Sequence, residues 1–147
     1  MTYLSETDIN RFLEAQENSC LSGYKQALTE IKNGNKTGHW IWYIFPQLRC
    51  LGRSRRAHYY GIADRAEAER YLNHRLLGER IREITQALLE HKDKTALSIL
   101  GNIDAVKVRS CMTMFDFISP NDIFAEVLLS FYNGERCAIT LEVMQQV

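Results

Sequence analysis

Apolar residues recur along the chain with a period near 3.6 residues, interrupted by short polar or glycine-containing breaks. The spacing of Ile9, Phe12, Leu13 and Ala15 or Gln16 predicts a helix from Thr7 to Glu17. Tyr24, Ala27, Leu28 and Ile31 predict a second from Leu21 to Asn33, closed by Gly34. Further helices are expected at Ser54–Tyr60, Asp64–Asn73 and Leu77–His91. The last carries the stripe Leu77, Ile81, Ile84, Leu88. Asp64 suits an N-cap, with Glu67 three residues on completing a capping-box pattern. A short turn at Ala96–Leu100 ends at Gly101. Helices at Asp104–Ile118, Asp122–Asn133 and Cys137–Met144 complete the chain, with Gly134 following the second of these. The 2 prolines, Pro46 and Pro120, leave room for helix almost everywhere. The expected architecture is all-α: one compact, multi-helix orthogonal bundle spanning residues 1–147, without linker, repeat or low-complexity segment.

One stretch, His39-Trp40-Ile41-Trp42-Tyr43-Ile44-Phe45-Pro46-Gln47, is apolar on every face, so periodicity alone does not separate strand from helix. No partner strand is visible and a lone strand is unstable, which favours a short buried helix or turn ended by Pro46. Each large ring here can bury about 150–250 Å2, worth about 4–6 kcal/mol. As a core anchor, the segment would bond its Trp and Tyr polar atoms to backbone. As a site, the rings of Trp40 and Trp42, edged by His39 and the amide of Gln47, would suit a planar ligand such as a nucleobase or nicotinamide.

Composition narrows the function classes. The 147 residues are 46% hydrophobic and 24% charged, with formal net charge +0, which is ordinary for one globular domain and unlike a disordered chain. Zero net charge makes duplex nucleic acid a poor default partner. No apolar run approaches the roughly 20 residues of a membrane span. The start Met1-Thr2-Tyr3-Leu4-Ser5 lacks a signal-peptide pattern, and Cys20, Cys50, Cys111 and Cys137 form no CxxC pair. Reduced thiols in a cytoplasm are the corresponding expectation. His39, His58, His74 and His91 are scattered without HExxH spacing, so neither a metal nor a cofactor is expected. A metal-dependent hydrolase ranks last among the readings.

Two further segments carry candidate chemistry. Arg49, Arg53, Arg55 and Arg56 surround Gly52 and Ser54, a glycine turn entering a helix that could hold a phosphate or be a solvated helix start capped by Ser54. On a wheel, Asp104, Val108, Cys111 and Phe115 cluster, with Lys107 and Met114 beside them and Ser110 and Thr113 opposite, which predicts a helix buried nearly all round. Lys107 would then need a carboxylate, and Asp104 is within i,i+3 reach; the alternative is an exposed Lys107 weakly paired with Asp104. Ser110 and Thr113 either meet a ligand or bond back to the preceding turn, and Cys111 reads as an inert core thiol.

The run Gly38-His39-Trp40-Ile41-Trp42-Tyr43-Ile44-Phe45-Pro46-Gln47-Leu48, followed by Leu51-Gly52-Arg53-Ser54, resembles the signature of an uncharacterised family of bacterial and fungal proteins whose members sometimes carry the label "calpastatin". Tyr60-Gly61-Ile62-Ala63-Asp64, Tyr71-Leu72-Asn73-His74-Arg75-Leu76-Leu77-Gly78, Asp104-Ala105-Val106-Lys107-Val108-Arg109-Ser110-Cys111-Met112-Thr113-Met114-Phe115, Phe131-Tyr132-Asn133-Gly134 and Thr140-Leu141 extend the likeness over essentially the whole chain. The resemblance implies a helical fold and the same candidate positions, but no reaction. It does not imply protease inhibition, because a disordered, proline-rich inhibitor has the opposite composition. Where the family usually has a second serine after Ser110, this chain has Cys111. A fainter similarity points to helical proteins associated with NAD and ADP-ribose.

These observations place a candidate site where His39–Gln47 meets Asp104–Thr113. His39, Asp104 and Lys107 are the candidate catalytic groups. Trp40, Trp42, Gln47, Arg53, Ser54, Ser110 and Thr113 are the candidate ligand contacts. The expected partner is a nucleotide or ADP-ribose-like small molecule, bound or cleaved at its N-glycosidic bond, with Asp104 as base or cation stabiliser. The competing reading is a protein-interaction module without chemistry.

Overall fold

The structure, a computed structural model, describes residues 8–18 and 22–146. The described residues form ten α-helices and no strand: α1 (Asn10–Glu17), α2 (Tyr24–Lys32), α3 (Ile41–Ile44), α4 (Arg55–Tyr59), α5 (Arg65–Asn73), α6 (Arg75–Leu89), α7 (Ala96–Leu100), α8 (Asn102–Ile118), α9 (Ile123–Tyr132) and α10 (Ala138–Gln145), with a 3-10 turn at Arg49–Leu51. The fold is thus the all-α bundle expected from the periodicity. Helix starts expected at Thr7 and Leu21, together with Cys20, lie outside the described residues. The segment after Pro46 has one surprise. Leu48 forms an isolated parallel bridge with Ile62, through Arg49 N to Ile62 O at 2.8 Å and Ile62 N to Gln47 O at 2.9 Å. Gly61 beside it has no room for a side chain, because a Cβ would lie 2.4 Å from Arg49 Cα.

α8 is the axis of the bundle and packs against α5, α7, α9 and α10. Its seven consecutive residues Ser110 to Asp116 are all buried, as a helix enclosed by neighbours requires. Its first turns differ. Ile103 and Val106 are 71% and 53% exposed, so the expected all-round burial holds for the C-terminal half alone. Cys111 is fully buried, and burial pushes its thiol well up, as suits an inert core thiol. The α6 stripe of Leu77, Ile81, Ile84 and Leu88 is buried as expected, but the helix starts two residues earlier. His74 caps it, its Nδ1 accepting the Leu77 N–H at 3.3 Å.

The amphipathic pattern conceals a buried ion pair. Arg11 on α1 and Glu67 on α5 have side chains 0% and 1% exposed and meet in bidentate fashion, Nη1 to Oε2 at 2.9 Å and Nη2 to Oε1 at 3.0 Å. The guanidinium also donates to the carbonyls of Asp8, Tyr59 and Gly61, and Glu67 accepts the Ala63 N–H at 2.8 Å. Every donor of the buried charge is thereby used, and the turn from Tyr59 to Ala63 is tied to α1 and α5. Asp64 does cap α5, accepting the Glu67 N–H at 2.9 Å. The reciprocal half of the capping box is shifted by one residue: while paired with Arg11, the Glu67 carboxylate accepts the N–H of Ala63 and not that of Asp64.

Removing one partner of such a pair strands a buried charge. Glu67→Ala is expected to cost about 3–5 kcal/mol in urea unfolding, whereas the double change Arg11→Met with Glu67→Leu recovers most of that loss. A Glu67→Ala cost under about 1 kcal/mol would contradict this reading.

Candidate functional site

The loop between α2 and α3 is organised by one carboxylate. Glu30 Oε1 accepts the N–H groups of Thr37 (2.7 Å), Gly38 (2.7 Å) and the Trp40 indole (3.0 Å), and Oε2 accepts from Gln26 at 2.9 Å. Partial burial raises the Glu30 carboxyl, but these donors outweigh it and bring its pKa down to about 2. The Trp40 ring is fully buried by this clamp and lies within the core, 6.2 Å from Phe45. Tyr43 is buried as well, its hydroxyl donating to Ser22 O at 3.1 Å. His39, between the clamped residues, is left exposed.

Lys36 joins this loop to α8. Its backbone N–H donates to Ile99 O at 2.8 Å. Its side chain is 7% exposed, and the ammonium donates to Gly38 O at 2.6 Å, lies 4.8 Å from the Trp40 ring centre and pairs with Asp104 Oδ2 at 2.6 Å. Asp104 is therefore held chiefly by Lys36. Lys107, the partner expected from spacing, stands 4.0 Å from Asp104 Oδ1, is 24% exposed and lies 5.3 Å from the Trp42 ring centre. It is neither sealed in the core nor free at the surface.

The result is a groove of about 470 Å3 in which Lys36, His39 and Trp42 face Asp104 and Lys107 across the first turns of α8. Its apolar lining comes from Ile41, Leu100 and Ile103. The groove also reaches the N-terminus of α8, which has no side-chain cap at Gly101. Exposed N–H groups and the positive end of the helix dipole add to the two lysines there, so the lining favours an anion despite Asp104. On the other side of Trp42 a cavity of about 10 Å3, the size of one water molecule, is lined by Trp42, Gln47, Tyr60 and Lys107 among others. The Trp42 indole nitrogen is buried and has no hydrogen-bond partner among the described residues.

Of the candidate residues, the structure brings His39, Trp42, Asp104 and Lys107 together and puts Gln47 in the adjoining cavity. It does not bring in the others. Trp40 is core, held by Glu30 and not by backbone. Arg53 and Ser54 line a separate depression of about 390 Å3 with Arg55, His58 and Tyr59, where Ser54 caps α4 by accepting the Ala57 N–H at 3.0 Å. Ser110 and Thr113 are 3% and 0% exposed and donate to Val106 O and Arg109 O, and Thr113 Oγ1 accepts the Cys137 N–H at 3.0 Å. Their hydroxyls are used in helix packing, not turned to the groove. Among the described residues no group of three or more His, Cys, Asp or Glu side chains is placed to hold a metal ion, and no helix is long and apolar enough to cross a membrane.

Sequence reasoning missed Glu30 and Lys36. Glu30 did leave a trace, because a carboxylate in the last turns of α2 opposes the helix dipole and so implies a partner beyond the helix. Lys36 left none, since its partner Asp104 lies far along the chain.

The geometry defines a helical domain with one polar groove at its central helix. Residues 6–144 match a family described as "Protein of unknown function (DUF1810)", and the chain belongs to that family. A crystal structure of the conserved hypothetical protein Rv1873 from Mycobacterium tuberculosis is similar, with a TM-score of 0.90 and 35% sequence identity over 96% of this chain and 99% of that one. No curated protein matches the sequence.

Because the Glu30 pKa falls from 4.5 unfolded to about 2 folded, its contribution to stability is present above pH 4.5 and is lost as pH drops towards 2. Glu30→Gln is expected to flatten the acid limb of a stability–pH curve over that window and to red-shift Trp40 emission. An unchanged acid limb would show that the clamp contributes nothing.

Proposed function

We propose that the groove binds a nucleotide-like small molecule, an aromatic ring joined to an anionic group. One observation carries this reading: two segments more than sixty residues apart deliver His39, Trp42, Asp104 and Lys107 to the same concave surface. The anionic group would sit between Lys36, Lys107 and the first turn of α8. Lys107 now stands over the Trp42 ring. A phosphate is a stronger partner for an ammonium than an indole face, so binding would draw Lys107 across and leave the ring to the ligand. His39 at the mouth supplies a donor or acceptor for the ring edge.

The same groups support N-glycoside cleavage as the finer form of this proposal. The bond from the anomeric carbon to the ring nitrogen would break with its electron pair leaving on nitrogen. Asp104 would stabilise the sugar cation, and water would add to the sugar carbon with its proton passing to Asp104; His39 or Lys107 would protonate a departing purine, whereas nicotinamide leaves NAD as a neutral ring and takes no proton. ADP-ribose and NAD combine all the required parts.

The chain has 2 tryptophans, one buried and one at the groove, which gives a direct readout. A saturating nucleotide or ADP-ribose is expected to quench Trp42 emission and raise Tm by about 5–10 °C at a hundredfold excess over Kd. Trp42→Phe removes the quenching. Lys107→Ala and His39→Ala weaken binding about tenfold, and release of nicotinamide from NAD reports cleavage. No shift with NAD, ADP-ribose or common nucleotides would remove the proposal.

A second reading rests on Leu97, Ile103 and Val106, which are 59%, 71% and 53% exposed on α7 and the start of α8. These apolar side chains suit a protein-interaction module. Ile103→Ser with Val106→Ser would then abolish capture of a partner, while His39→Ala and Lys107→Ala would leave it intact.

A further inference from the structure

Trp42 is only half-buried, yet its indole nitrogen is enclosed, so the nitrogen edge of the ring is turned into the protein. That donor has no hydrogen-bond partner among the described residues. The other tryptophan is different, since the Trp40 indole donates to Glu30 at 3.0 Å. A donor sealed from solvent is normally met by a protein acceptor or by an ordered water. The cavity of about 10 Å3 beside Trp42, lined by Gln47, Gly61 and Lys107 among others, has room for one water and for nothing larger. Its walls are polar in part. The Gln47 side chain ends in an amide that has no hydrogen bond to any described residue, while its backbone is fixed, Gln47 O accepting the Ile62 N–H at 2.9 Å. Ile41, Trp42 and Lys107 line both the cavity and the groove, so the cavity lies directly behind one wall of the groove.

We propose that this cavity is a binding site for a single water, which accepts the Trp42 indole N–H and donates to the Gln47 amide oxygen, and that Gln47 is a positioning residue, holding the Trp42 ring at the groove wall through that water. An indole has one polar atom on a rigid plane, so fixing the direction of its N–H fixes the plane of the ring. Without an acceptor behind it, the ring would gain by turning its N–H to solvent. It would then leave the Arg56 guanidinium and the Lys107 ammonium, which lie 4.8 Å and 5.3 Å from its centre. The hydrogen bonds of the water close: it takes one proton from the indole, gives one to the amide, and keeps a lone pair towards Lys107 on the cavity wall. Gln47 thus acts one step behind the ligand and not upon it. The water site stands on the cavity and the buried donor; only its effect on ligand affinity rests on the groove reading above.

NMR of the whole 15N-labelled chain tests this, because its 2 tryptophans give two indole N–H signals and Trp42→Phe identifies which is which. The Trp42 indole proton is expected to show a nuclear Overhauser cross-peak to a long-lived water, and the Trp40 proton, bonded to Glu30, none. Gln47→Leu should erase that cross-peak and speed exchange of the Trp42 indole proton with solvent about tenfold. An unchanged Trp40 exchange rate is the control for an intact fold. Gln47→Glu, which keeps an acceptor in the same place, should retain the cross-peak. With adenosine 5′-monophosphate as probe, Gln47→Leu should weaken binding about threefold. No water cross-peak at Trp42 in the wild-type chain overturns the water site. A cross-peak and exchange rate that survive Gln47→Leu unchanged overturn the role of Gln47. Failure of the wild-type chain to bind the monophosphate at millimolar concentration overturns the groove reading alone, since the cross-peak and the exchange rates decide this inference without a ligand.

Discussion

A single carboxylate oxygen on α2 gathers three N–H donors from the eight-residue stretch that follows the helix, and the site depends on that convergence. Without Glu30 Oε1, the amides of Thr37 and Gly38 and the Trp40 indole would need water, and the loop would have no reason to turn Trp40 inward. With it, Trp40 is fixed in the core, His39 is directed outward, and Trp42, two residues further on, comes to the edge of the bundle. Lys36 completes the arrangement by spanning from Gly38 O to Asp104. A loop set by α2 is thereby registered against α8. The groove is a consequence of that registration, not of any motif in one segment.

The central helix shows how one element can serve packing and chemistry in different parts. From Ser110 to Asp116 every side chain is enclosed, and the hydroxyls of Ser110 and Thr113 return to the helix's own carbonyls. Two turns earlier the same helix is half open, and there Asp104 and Lys107 reach the groove. Cys111 falls in the enclosed part, where the side chain is fully buried. Its thiol therefore serves packing and is no part of the groove lining.

Much of the fold was legible in the sequence because periodic apolar spacing and helix-end glycines are local signals. The α6 stripe and the ends at Gly34, Gly101 and Gly134 all depend on residues within one or two turns. The meeting of His39–Gln47 with Asp104–Lys107 was also legible, since both segments combine apolar bulk with stranded polar groups that demand partners. What was not legible is which polar group each one finds. Spacing pointed Asp104 to Lys107, but Lys36 is closer and more buried. The capping pattern pointed Glu67 to Asp64, but a guanidinium from α1 offers a charge where the cap offers only an amide. Trp40 and Trp42 are indistinguishable in sequence, and only the Glu30 clamp decides which ring is core. The candidate positions Ser54, Ser110 and Thr113 failed to reach the groove for the same reason: their nearer partners lie in their own turns or in the neighbouring helix, while Arg53 is exposed on a separate depression.

The balance of 18 basic and 18 acidic residues hides an uneven distribution. Concentrating four guanidiniums between Arg49 and Arg56 leaves the rest of the sequence with 14 basic against 18 acidic residues, so the molecule is unevenly charged along its chain though neutral overall. Such a body exerts a torque-producing field on an approaching anion over roughly one Debye length, about 8–10 Å in physiological salt. An incoming anion would be turned towards the arginine-bearing pole before contact, and raising the ionic strength would slow its arrival more than it hastened its escape.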